Sequence, residues 1–238
     1  MDVTIQTQFN TMGFGGRYVE MGKLEYDIEY DEKWISSRID ILIKYLLPSL
    51  IKQSDQNFNY ILLVRKETKE FIIDLLNNKN VLENKFFHVA TPEEKFELCD
   101  KIITTDRFHE VRLDSDNCYR IDFVEKLKSL DINAHTEAVV LPRGYMWYLE
   151  NNVIVEREFK SPGFYSLIYK KDEYLSGKQH ETPGGHDGVI TLNHKKIEDR
   201  TWLWTVHDLN FKILRGKGYP DYKKFTRVGH KILKEFGI

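Results

Sequence analysis

Only two cysteines, Cys99 and Cys118, occur in 238 residues, and their spacing forms no paired motif. That scarcity argues against a disulfide framework and for a reducing compartment. An excess of one charge is missing as well. Lys+Arg 35 against Asp+Glu 37 leaves a net charge of -2, so no global positive field draws the chain to nucleic acid or anionic lipid, and any polyanion contact must be local. No stretch is apolar enough to span a bilayer, and Met1 to Asn10 has no hydrophobic leader. The expectation is a cytoplasmic protein without a transmembrane segment. Internal repeats, low-complexity tracts and obvious linkers are absent too, so residues 1–238 read as one continuous domain.

What is present is an apolar share of 41%, enough for a substantial core, arranged in alternating periods. Val3, Ile5, Thr7 and Phe9 alternate with polar residues as a first strand, and Gly13-Phe14-Gly15-Gly16 breaks it into a loop. The loop is no dinucleotide fingerprint, because Tyr18 stands where the third glycine is required. Ile35, Ile39, Leu42, Ile43 and Leu46 predict a helix from Asp31 to Leu47, capped by Asp31 and ended or kinked by Pro48. Strands follow at Tyr60–Val64 and Phe86–Ala90, and a fourth runs into Asp114. Helices are expected over Thr68–Leu76, Glu93–Thr104 and Tyr119–Leu130. This β-α-β-α-β-α-β-α order predicts an α/β fold with a mainly parallel sheet wrapped by helices, which collects ligands at the carboxyl ends of its strands. Beyond Val140 the pattern is mixed. Tyr145–Glu150 and Val153–Glu158 alternate around Asn151-Asn152 as a hairpin.

The run Val111-Arg112-Leu113-Asp114-Ser115-Asp116-Asn117 carries the most chemistry. A hard cation such as Mg²⁺ or Mn²⁺ takes carboxylates together with phosphate oxygens and water. In extended backbone, residues i and i+2 point the same way, so Asp114 and Asp116 could converge on one ion from an exposed strand end. A solvated turn is the plainer account of an isolated Asp-x-Asp. A calcium loop fails, since Tyr119 stands at the sixth position where glycine is needed.

A β-α-β-α-β-α-β unit ending in Asp-x-Asp resembles the nucleotide-sugar half of a GT-A glycosyltransferase, with its Rossmann-like sheet. More narrowly, Trp34-x-x-x-Arg38, Leu47-Pro48-Ser49-Leu50 with Gln53, Asn57-Phe58, Arg112 to Asn117, Arg143-Gly144-Tyr145 and Trp204-x-x-His207-x-x-Asn210 resemble the putative rhamnosyltransferase family. Asn117 stands where an acid is usual, and Gln8-Phe9-Asn10 where Arg-Phe-Asn is common. The resemblance implies a nucleotide-sugar half at 1–130 and a mixed acceptor half with a basic C-terminal segment at 131–238. It implies a hexosyl transfer, of rhamnose in the narrower case, from a nucleotide diphosphate sugar to a glycan or glycoconjugate. It also implies Mn²⁺ or Mg²⁺ held by Asp114, Asp116 and His207, with Gln8, Asn10, Arg38, Arg65, Arg112, Asp114 and Ser115 around the donor.

Each assignment has a plainer counterpart. His207 could be a hydrogen-bonded histidine beside Trp202 and Trp204. Arg38 and Arg112 suit forked phosphate contacts, yet either could be a structural ion-pair partner. Asp187, in Glu181 to Gly188, is the candidate base for an inverting reaction and equally a turn acid. Tyr145, Trp147 and Tyr148 could stack on sugars or pack in a core. Two rivals remain. The basic residues from Lys212 to Lys234, interleaved with Phe211, Tyr219, Tyr222 and Phe225, could track nucleic acid for transfer to a base. Alternatively, the chain is a sugar-binding module without catalysis.

Overall fold

The alternation at the amino terminus becomes strand β1 (Asp2–Gln8) in the computed structural model, which describes residues 1–11, 20, 27–161, 163–210 and 218–238. The glycine loop at 13–16 lies outside the described residues. Helix α1 (Glu32–Ile41) begins where Asp31 accepts the Trp34 N–H at 2.6 Å, as a capping carboxylate should. Pro48 does not end the helical run. Residues Leu42–Leu46 widen into a π-helical stretch and α2 (Leu47–Ile51) continues from it with Pro48 in its first turn. A proline inside a helical run lacks the N–H and crowds the carbonyl one turn earlier, and the widened turn before it gives the ring room.

Next come β2 (Asn59–Leu63), α3 (Lys69–Asn77), β3 (Phe87–Ala90), α4 (Lys95–Ile102) and β4 (Arg107–Arg112). The expected helix from Tyr119 instead opens with strand β5 (Cys118–Tyr119), and α5 spans only Phe123–Ser129. Tyr119 is fully buried and stacks on Phe123 at 3.9 Å, a tertiary arrangement that helical spacing cannot distinguish from a helix start. The remainder comprises β6 (Ala138–Val140), β7 (Arg143–Tyr148), β8 (Val153–Glu158), β9 (Tyr165–Lys170), α6 (Lys171–Leu175), β10 (His194–Lys196), β11 (Arg200–Val206) and β12 (Arg227–Val228). No helix is long and apolar enough to cross a membrane among the described residues.

The chain divides into two compact units. One comprises Met1–Lys44, Asn57–Ser115 and Tyr169–Gln179, the other Tyr45–Gln56, Asp116–Ile168 and His180–Ile238. In the first, parallel strands run in the order β4-β1-β2-β3. Register places Gln6 level with Arg112 and Thr4 level with Glu110, which puts these residues on one face. Tyr174 of α6 covers that face, its hydroxyl accepting from Gln6 Nε2 at 3.2 Å and its ring 5.0 Å from Phe108. The opposite face receives α1, where Trp34 lies 6.1 Å from Phe9. Helices therefore cover both faces of a parallel sheet, the α/β arrangement that the alternation predicts.

In the second unit a mixed sheet runs in the order β12-β8-β7-β11-β5. The hairpin closes as expected, with Tyr148 opposite Val153 and Asn152 at φ 51°, a left-handed position asparagine tolerates. β7 and β11 are parallel neighbours, and β5 pairs antiparallel with β11.

Candidate active site

The β5–β11 pairing assembles the part of the site that residue spacing cannot reveal. Leu203 stands opposite Cys118, so the same antiparallel register carries Thr205 to the level of Asp116. Thr205 duly donates its hydroxyl to the Asp116 carbonyl at 2.5 Å and its N–H to Asn117 Oδ1 at 3.1 Å. Two residues later, His207 Nε2 lies 3.3 Å from Asp116 Oδ2. A turn returns the chain to the same place: Asn210 Oδ1 accepts the His207 N–H at 2.7 Å, and Asn210 Nδ2 donates to Asp116 Oδ2 at 2.7 Å. Asp116, His207 and Asn210 are 4%, 8% and 5% exposed. Asp116 is thus a buried, hydrogen-bonded carboxylate, contrary to the exposed strand-end acid expected from the motif. Asn210 and Thr205 join the sequence-expected residues in this cluster. The His-x-x-Asn spacing was the available signal for Asn210, whereas Thr205 has none outside the register.

The donor-side candidates fall in the other unit. Arg38, buried and 5.9 Å from the Trp34 ring, donates to Ser115 Oγ at 2.5 Å and so fixes the loop that leads into Asp116. Arg112 pairs with Asp114 at 2.8 Å, both partly exposed. Asn10 is fully buried. Its amide donates to the Glu29 carbonyl and Thr68 Oγ1 and accepts the Arg65 N–H. Arg65 meets Glu29 at 2.5 Å and Asp27 at 3.7 Å and lies 4.5 Å over the Tyr30 ring, and these carboxylates raise its already high pKa against the opposing effect of burial. Asn10 and Arg65 therefore hold the loops after β1 and β2 together. Gln8 is exposed at the end of β1.

Asp187 lies on an exposed 3₁₀ turn after Gly184 and Gly185, both at positive φ, with His186 Nε2 3.6 Å from its carboxylate. The hairpin aromatics pack inward. Trp147 meets Tyr45 edge-on at 5.5 Å, while Tyr148 donates to the Pro220 carbonyl at 2.7 Å. The rings that nucleic-acid stacking would need are engaged as well. Tyr219, Tyr222 and Phe225 pack against Met146, Tyr148, Val155 and Val206, while Phe211, Lys212, Arg215 and Lys217 lie outside the described residues. Lys223, Lys224, Arg227, Lys231 and Lys234 are exposed.

Among the described residues no three His, Cys, Asp or Glu side chains are gathered as a metal set. Asp116 and His207 are nevertheless a suitable pair, one hard oxygen donor and one imidazole. Among the described residues, His207 Nδ1 and Asn117 Nδ2 are buried without hydrogen-bond partners, so donor and acceptor capacity is left over in the cluster. The donor chemistry fits Mn²⁺ or Mg²⁺ on these two residues.

Among curated proteins no sequence matches. Solved structures do: S. aureus TarS in complex with UDP aligns at 12% identity and TM-score 0.44, covering 90% of this chain and 63% of that one. The complex with UDP-GlcNAc aligns at 13% identity and TM-score 0.45, covering 92% and 62%. The chain thus spans less than two thirds of those structures. The sequence also matches the family described as Putative rhamnosyl transferase over residues 4–217. That span takes in Arg38, Asp114, Asp116, His207 and Asn210 together, and on this match the chain belongs to the putative rhamnosyl transferase family.

Proposed function

We propose that the chain moves a hexose, rhamnose by the family's description, from a nucleotide diphosphate sugar to a hydroxyl of a glycan acceptor, with Mn²⁺ or Mg²⁺ held by Asp114, Asp116 and His207. The observation that carries this reading is the buried Asp116–His207–Asn210 cluster, assembled from residues 91 positions apart. A buried carboxylate beside an imidazole with an unused nitrogen is costly to keep unless something binds there. A bound divalent ion would neutralise charge growing on the diphosphate leaving group. Asn210 holds Asp116 by its amide, and Thr205 fixes the backbone at Asp116. Arg38, through Ser115, holds the approach to the motif and adds fixed positive charge beside it. Asp187, exposed at its turn, is the residue available to take the acceptor proton in an inverting transfer.

A panel of nucleotide diphosphate sugars tests the reading through metal-dependent donor hydrolysis. Turnover of at least one sugar with Mn²⁺, lost on chelation and in Asp116→Asn, is expected. A folded protein that hydrolyses none of them would overturn it.

A further inference from the structure

Strand β8 sorts its charges by face. Glu156 and Glu158 point to one side, where they pair with Arg200 at 2.8 Å and Arg143 at 3.2 Å. Arg157 points to the other side and meets no carboxylate among the described residues. Its i+2 neighbour Phe159 lies 4.8 Å from the guanidinium. Antiparallel pairing of Arg227 with Val155 puts Phe225 at the level of Arg157, and that ring lies 3.8 Å away. The guanidinium is therefore held between two rings, with Nη1 buried and without a hydrogen-bond partner. Burial lowers its pKa, the nearby Tyr148 acting in the opposite direction. Arg227 projects from the same face two residues along, exposed and 5.3 Å from the Tyr222 ring. Among the described residues neither arginine has an ion pair. Asp221, in the segment covering this face, is turned to the Lys223 N–H at 2.9 Å.

A guanidinium has five donors, and fixing it beside rings with Nη1 buried and unpaired costs free energy that an anionic ligand would return. Aromatic packing also removes the conformational freedom an arginine otherwise loses on gripping an anion. We infer that Arg157 and Arg227 form an anion-recognition site for the acceptor, which is a saccharide bearing phosphate or carboxylate groups. This inference rests on the glycosyl-transfer reading for its choice of a saccharide.

Isothermal titration of the full chain with hexagalacturonate, a phosphorylated maltohexaose and neutral maltohexaose tests it at one ionic strength, and the first two separate carboxylate from phosphate. At least one anionic probe should bind about tenfold more tightly than the neutral one, and the preference should fall about tenfold in Arg157→Gln. Arg157→Lys, which keeps the charge without the planar fork, should fall between. Arg227→Gln, at an exposed position, should also weaken the anionic probe and does not depend on a repacked interior. Equal affinity for charged and neutral probes, or wild-type affinity in both glutamine variants, would overturn the inference. Binding of phosphatidylglycerol vesicles or a DNA duplex as tightly as the saccharides would overturn it too. Thermal shift with a nucleoside diphosphate and Mn²⁺ on the same preparations separates the two claims: a shift without anion preference removes this site alone, and a preference without a shift removes the donor reading.

Discussion

Asp116 bears two loads at the residue scale, as a candidate metal ligand and as a buried acceptor for Asn210, with His207 Nε2 3.3 Å away. Asp116→Asn keeps the shape and an acceptor oxygen for Asn210, so the fold should lose only about 1–3 kcal/mol of stability. Turnover should nevertheless fall about a hundredfold or more, equivalent to about 2.7 kcal/mol of transition-state stabilisation. Circular dichroism melting alongside donor hydrolysis separates the two effects, and full activity in the variant would remove the carboxylate from the chemistry. For His207→Ala, a comparable loss of turnover with retained nucleotide affinity is expected, since Asp114 and Asp116 remain. Unchanged Mn²⁺ titration and turnover would return His207 to a structural role. His109 concerns stability instead. Burial, with the N-terminal ammonium and Arg107 nearby, pushes it down to about 3. Its folded pKa is depressed, so the unfolded state binds the extra proton between about pH 6.5 and 3. Stability is then fully present above about 6.5 and falls by up to about 1.4 kcal/mol per unit as pH drops toward 3. Urea midpoints across that window should show the slope, and His109→Leu should reduce it.

Among the elements, β7 depends on a glycine for its approach to β11. A Cβ at Gly144 would stand 2.1 Å from the Trp202 ring and 2.4 Å from its carbonyl oxygen. The indole cannot yield, because Nε1 donates to the Leu141 carbonyl at 2.8 Å and the ring stacks on Phe164 at 4.5 Å. Gly144→Ala should therefore destabilise by about 3 kcal/mol, visible as a lower urea midpoint, and an unchanged midpoint would show that the strands can separate at no cost. Since β11 delivers Thr205 and His207, the same variant should also impair Mn²⁺ binding. Helix α1 and the hairpin were legible because cap, spacing and turn residues agree locally. Tyr119 reads as helical from its spacing because its strand exists only through pairing with β11.

For the whole molecule, a nucleoside diphosphate and Mn²⁺ should raise the melting temperature more together than the sum of either alone, because a ligand that binds only the folded state stabilises it and a shared site makes the two mutually dependent. Additive shifts would mean separate sites. The position of Arg38 on a helix and of Asp114 just after a strand was legible from local periodicity. What Arg65 and Asn10 do was not, since their commitment to Glu29 and Thr68 follows from loops that converge only in the folded chain.

The sequence by itself determined the alternation of strands and helices up to Asp114, the cap at Asp31, the turn at Asn151-Asn152 and the presence of an Asp-x-Asp run, because periodicity and turn chemistry act over a few neighbouring residues. Tertiary structure decided the rest. It widened the helix before Pro48, gave Tyr169–Gln179 to the first unit, buried Asp116 under Asn210, and set Arg157 between Phe159 and Phe225. Each of these depends on strand register or packing between distant segments, which no local pattern encodes.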